Sequence, residues 1–505
     1  MSNRSPERTP LPSFPEVATH DTIPSQVKSI LAVLVITAFV MMLNETTVGV
    51  ALPAIMNDFS ISATTGQWLL TGFLLTMAVV LPATGWMLER FSTRSVFIFA
   101  TLTFLVGTVT AALAPTFAVL LMARVAQAIG TAIVMPLLMT TTMTLVPAAK
   151  RGMVMGLISV VMAAGPALGP TVAGLVLNFT NWHGIFWIMV PLVAIAALIG
   201  ALRLTNFGTN SPTPFDVLSM ILSIFAFGSL IYGLSSIGTL FEGGKAALIT
   251  LGILGVGVVG LALFVWRQVV RGREDRALLD LRPLAVRNFT LSLLVLMGLM
   301  AALLGVLNTL PLYLQGSLLV TALVTGLALL PGGILEAVLS PVSGRIYDKF
   351  GPRPLIIPGM SLVMGSLFWL STVDENSSVW MVVAVHIVFS VGLAGLFTPV
   401  LTTALGSLPQ NLYGHGSAIL NTLQQLAGAA GTAVMIAIYS SVGAQSMAGG
   451  ASAPAALADG ASAAFLASGI LAAITLVISL FITRVPQSSD TRELIESSDA
   501  KRASK

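Results

Sequence analysis

Apolar runs of about 20 residues, bounded by short polar stretches, recur along the whole chain. A helix rising 1.5 Å per residue needs about that length to cross roughly 30 Å of hydrocarbon. Fourteen spans are predicted: 30–54, 66–88, 95–113, 117–146, 152–177, 184–203, 216–239, 246–266, 289–314, 321–344, 354–372, 379–405, 416–441 and 463–483. Residues 1–27 read as a polar, disordered tail lacking the basic start and apolar run of a signal peptide, and 485–505 as a second tail. Lys and Arg set the orientation. With loops counted alternately, all of them fall on one side except Lys245, which lies opposite, and Arg124, which falls inside a span. This predicts both termini in the cytoplasm and an even number of spans.

Composition narrows the chemistry. Only 9% of residues are charged and 56% are hydrophobic, where a soluble protein carries about 25% charge. Soluble and nucleic-acid-binding classes are excluded, and the net charge of +4 sits in membrane-flanking loops. There is no cysteine for a disulfide, a thiol nucleophile or a thiolate metal site. His20, His183, His386 and His415 have no metal-ligand spacing. No Gly-x-x-x-x-Gly-Lys-Ser/Thr loop and no nucleotide-sized soluble domain occur, so an ion gradient, not ATP, is the expected driver.

Two loops repeat. Gly85-Trp-Met-Leu-Glu89-Arg90-Phe-Ser92-Thr-Arg94 joins spans 2 and 3, and Gly344-Arg-Ile-Tyr-Asp348-Lys349-Phe-Gly351-Pro-Arg353 joins spans 10 and 11. Both read Gly-x-x-x-acid-base-x-small-x-base. The offset from Gly85 to Gly344 equals that from residue 30 to residue 289, where spans 1 and 9 begin. The predicted fold is therefore an all-α polytopic membrane protein of two parallel six-helix bundles, 28–203 and 288–484. Two inserted spans and a cytoplasmic linker occupy 204–287. Parallel repeats with a central site between them are a transporter plan.

At these loops the chain resembles the major facilitator superfamily, in particular its fourteen-span drug:proton antiporter branch. Further matches are Leu43-Asn-Glu-Thr-Thr-Val-Gly-Val-Ala-Leu-Pro53 in span 1, with Asn44 at the usual Asp position and Glu45 after it, and Trp68-Leu-Leu-Thr-Gly-Phe-Leu-Leu in span 2. Arg124-Val-Ala-Gln127-Ala-Ile-Gly130 matches in span 4, Gly165-Pro166-Ala-Leu-Gly169-Pro170 in span 5 and Gly416-Ser-Ala-Ile-Leu-Asn-Thr-Leu-Gln-Gln425 in span 13. The resemblance implies a proton-coupled exporter of the cell membrane, taking amphipathic, often cationic compounds. It needs no cofactor, binds neither nucleotide nor nucleic acid, catalyses no reaction and is expected as a monomer in the bilayer.

Three full charges lie deep in spans: Glu45, Arg124 and Glu336. Each costs about 2.5–3.5 kcal/mol or more at a helix centre unless it faces a cavity or a partner. Glu45 stands roughly 22 Å from the cytoplasmic end of span 1. It is read as the coupling carboxylate or as part of a cation site. Glu336, roughly 12 Å into span 10, is a second protonation site or sets selectivity for cations. Arg124 stays charged at any relevant pH. The resemblance places it near the proton pathway, modulating a carboxylate. His386 is read as packing rather than a relay, and Asp216 as a helix cap.

Asn421, Gln424 and Gln425 form one polar face of span 13, suited to a wet cavity. Gln127 continues the polar stripe from Arg124, and Met41, Met42, Trp68, Phe73, Asn308 and Tyr313 are expected as adaptable walls. Gly165 and Gly169, with Ala173, lay a small-residue ridge along span 5 that Pro166 and Pro170 bend. It serves either ordinary packing or a sliding seam between halves. In the repeated loops, Gly85, Glu89, Arg90 and Arg94, with Gly344, Asp348, Lys349 and Arg353, are expected to hold an inner gate, each acid meeting an Arg or a helix N-terminus. The alternatives are export of an endogenous metabolite or lipid on the same fold, and a non-transporting sensor.

Overall fold

The computed structural model describes residues 23–204, 206 and 214–485. Among these the chain is helical and contains no strand. The long helices are α1 (Ser25–Asp58), α2 (Trp68–Arg90), α3 (Thr93–Ala112), α4 (Phe117–Leu145), α5 (Arg151–Phe179), α6 (His183–Arg203) and α7 (Val217–Ser235). They continue with α8 (Gly244–Gly272), α9 (Arg287–Gly316), α10 (Ala322–Phe350), α11 (Arg353–Leu370), α12 (Val379–Gly406), α13 (Tyr413–Ala448) and α14 (Ala453–Ser479). Thirteen helices among the described residues are long and apolar enough to cross a membrane. α5, in which the side chains of Ala163, Pro166, Ala167 and Pro170 lie outside the described ones, is not counted with them but fills the fifth predicted interval.

Departures from the predicted boundaries have local causes. α1 begins at Ser25, inside the expected tail, because Ile23 and Leu31 pack on Val146 and Val154. The rest of that tail and nearly all of 485–505 lie outside the described residues. α14 starts ten residues early, at Ala453. Ser452 caps it by accepting the Ala455 N–H, Pro454 fits its first turn, and an alanine-rich stretch of modest hydropathy still favours helix. α7 contains a π-turn at Ile224–Gly228, and α12 breaks after Ala394, resuming at Phe397.

The repeated loops differ in a way that explains their sequences. Gly351 ends α10 with φ +79°, a conformation that costs a side-chain-bearing residue. In the first copy no such turn is needed. Phe91 is extended, and Ser92 instead caps α3 through the Ser95 N–H.

The C-terminal end of the described chain lies beside the second of these loops. Arg353 Nε donates to the Ile482 carbonyl at 3.2 Å, and Asn288 bonds Thr483. On the same side Asp216 caps α7 and grips Arg267 of α8 through two bonds of 3.0 and 2.8 Å. Burial works against the Asp216 carboxylate, but bonds from Arg267 and Ser219 outweigh it and hold its pKa below the ordinary aspartate value. The pair is lost only as pH falls through that lowered value, so it is intact at neutral pH.

Candidate functional site

A cavity of about 900 Å³ lies inside the helix assembly. Its walls come from α1, α2, α4 and α5 of the first six helices and α9, α10, α12 and α13 of the last six. These are the same four positions of each set. Glu45 and Glu336 face the cavity from opposite sets, with Thr131, Ser159, His386, Ser390, Asn421, Gln424 and Gln425 as further polar wall. Most of the rest is apolar and soft, including Met42, Met77, Met135, Met162 and Met300. Methionine refills irregular gaps, which suits ligands of varied shape.

The two carboxylates have different neighbours. Glu45 interacts with the charge of Arg124. That arginine is fully buried, its guanidinium 4.2 Å from the Phe73 ring centroid. Its Nη1 donates to Gln127 Oε1 at 3.0 Å, its Nε to the Leu69 carbonyl at 3.4 Å, and its Nη2 has no hydrogen-bond partner. Gln127 is itself fixed by donating to Thr108 Oγ1 at 3.0 Å. Glu336 receives no hydrogen bond at its carboxylate and has no charged partner among the described residues. Asn44, at the position where the resembling branch carries Asp, is fully buried with both amide atoms unpartnered. One residue along a helix is about 100° of rotation. The shift from 44 to 45 thus turns the acid from a packed face onto the cavity.

Several expected wall residues lie elsewhere. Met41 is buried in the apolar core, about 100° from cavity-facing Met42. Phe73 lies beneath Arg124, and Gln127 is consumed by Arg124 and Thr108. Trp68 stacks on Tyr232 of α7, with ring centroids 5.5 Å apart. Tyr313 is buried and donates to the Asp374 carbonyl at 2.7 Å, while Asn308 is exposed and bonds Leu304 and Thr432. His386, expected to pack, is on the cavity wall with Nδ1 buried and unpartnered.

The glycine ridge of α5 also has a different partner from a seam between halves. Gly165 faces Met42, where an added Cβ would stand 2.9 Å from Met42 Cβ, and Gly169 faces Thr46. The ridge therefore presses α5 on α1, beside Glu45, within the first six helices. The seam between the two sets uses the other end of α5. Gly152 meets Gly344 of α10 backbone to backbone, and a Cβ on Gly156 would lie 2.7 Å from the Ser340 carbonyl. No hydropathy signal marks Gly152 or Gly156.

On the side of the basic loops the two sets of helices are tied together. Asp348 accepts the Gly152 and Met153 N–H groups at 2.7 and 2.9 Å, capping the start of α5. Glu89 pairs with His415 near the start of α13, Oε1 to Nε2 at 3.1 Å. Gly85 makes room for that ring. Further in, Thr398 donates to Ser159 at 2.9 Å and Thr140 meets Ser417 at 3.2 Å. The bases do other work: Lys349 lies over Phe350, Arg353 bonds the Ile482 carbonyl just beyond α14, Arg90 is partly covered and Arg94 exposed.

The sequence profile of the Major Facilitator Superfamily matches residues 34–432. The lincomycin resistance protein LmrB of Listeria monocytogenes is 39% identical over 466 residues, covering 90% of this chain and 96% of that protein. LmrB of Bacillus subtilis is 38% identical over 467 residues (91% and 96%). The tetracenomycin C resistance and export protein of Streptomyces glaucescens is 31% identical over 397 residues (78% and 72%). Among solved structures, the proton:xylose symporter XylE superposes with a TM-score of 0.63 at 17% identity, covering 92% of this chain and 97% of its own. The human organic anion transporter MFSD10 also gives 0.63, at 14% identity and 90% and 100% coverage.

Proposed function

Because the chain belongs to the Major Facilitator Superfamily, a family of transporters and not of enzymes, we propose that it is a proton-driven exporter of amphipathic, often cationic compounds. It works by alternating access across fourteen spans of the cell membrane, with both termini in the cytoplasm. The observation that carries this reading is the cavity itself. It is lined by matching helices of the first six and the last six, which are tied together on the basic-loop side, and one carboxylate from each set faces it. Export of lincomycin, the drug named for the 39% identical relative, is the first activity to test. A proteoliposome with the loop side outward should release lumenal protons when lincomycin is added outside. Drug accumulation that survives a protonophore would sink the coupling.

The neighbours of the two acids divide the labour. Glu45, answered by the fixed charge of Arg124, exchanges its proton as the cavity changes sides. Glu336, with no counter-charge from the protein, is answered by the charge on the substrate. Glu336→Gln should therefore weaken export of permanently cationic dyes by about tenfold, a typical 1.4 kcal/mol, while a neutral substrate is exported as before. Equal loss for both substrate types would refute that assignment.

A further inference from the structure

The inserted pair α7 and α8 is followed by a segment that behaves unlike a surface loop. Ala277, Leu278, Leu279 and Asp280 are all buried, although they lie outside every long helix. Two hydrogen bonds explain where the segment is held. At one end Gln268 of α8, itself fully buried, accepts the Leu279 N–H at 3.0 Å and donates to Ser219 of α7 at 2.7 Å. At the other, the Asp280 N–H donates to His415 Nδ1 at 3.2 Å. The Asp280 carboxylate is turned away, onto the backbone and side chain of Arg282.

His415 is thus used twice. A ring nitrogen that accepts a backbone N–H carries no proton, so the ring proton is on Nε2, which faces Glu89 Oε1 at 3.1 Å. One imidazole joins the repeated loop of α2, the start of α13 and the strap 277–280. Any movement that parts α2 from α13 on this side must break the Glu89 contact and disturb the strap. We propose that the inserted pair, through this strap, is a working part of the inner gate, with His415 as the positioning residue on which it acts. The strap stabilises the state in which the basic-loop side is shut. This rests on the alternating-access reading above.

The absence of cysteine makes the test direct. Thr140→Cys, at the seam with Ser417, reports the gate through its reaction with a membrane-impermeant thiol reagent applied from the loop side. His415→Gln sets an amide nitrogen where Nε2 stands, keeping Glu89 and losing the strap. His415→Asn sets an oxygen where Nδ1 stands and does the reverse. Gln268→Leu releases the strap without touching the histidine, and covers the case in which a His415 variant fails to fold. Both His415→Gln and Gln268→Leu should speed labelling about fivefold, the shift expected from one ordinary hydrogen bond. Combining them should add little, because they cut one connection. Wild-type labelling in His415→Gln and Gln268→Leu, with only His415→Asn faster, would overturn the strap and leave the gate standing. Thr140→Cys that stays unlabelled even with Gly344→Val would overturn the moving gate and the transport reading with it.

Discussion

Glu45→Gln should bring gradient-driven export down to the level of vesicles lacking the protein, while binding of a neutral substrate survives. The substitution keeps the size and polarity of the side chain and removes only its titration. The carboxylate faces the cavity from α1 and feels the charge of a buried arginine that Gln127, Leu69 and the Phe73 ring hold in place and whose Nη2 has no hydrogen-bond partner. With nothing to exchange a proton, the variant can still change sides and exchange substrate down its gradient. Measuring uphill export and substrate counterflow in the same proteoliposomes separates the two. Export that keeps its dependence on the pH gradient would remove Glu45 from the coupling path. Loss of counterflow as well would point to a role in substrate binding.

Gly344→Val should be nearly as damaging for a different reason. Gly344 stands where α10 meets the backbone of Gly152 on α5, with no room for a Cβ. Overpacking such a contact costs about 1–3 kcal/mol, enough to shift a two-state equilibrium by about 5- to 150-fold. The cost falls only on the state in which the loop side is shut, because the contact joins helices of opposite bundles. Faster labelling of Thr140→Cys from the loop side, slower access to the cavity from the other side and loss of net export are expected together. Unchanged labelling with unchanged export would show that the seam yields without consequence.

These two residues also show how far the sequence carries. Glu45 stands out because a charge in a span is too costly to be incidental, and Gly344 because its loop recurs as Gly85 does. Neither pattern names the partner. Gly165 and Gly169 form a more regular small-residue ridge than Gly152 and Gly156, yet the ridge packs on α1 and the less regular pair makes the seam. Met41 and Met42 are chemically equal, and only the rotation of α1 against its neighbours sends one to the core and the other to the cavity.

An all-helical fold of long apolar helices, its family, and the acids set within those helices were legible from the chain alone. The thickness of hydrocarbon dictates helix length, and lipid penalises stray charge whatever surrounds it. Which side of each helix meets the cavity, which glycines close it and why residues 277–280 are buried were decided by tertiary packing. In helices apolar on nearly every side, hydropathy has no direction to report, and hydrogen bonds such as Asp280 to His415 join residues far apart in the chain.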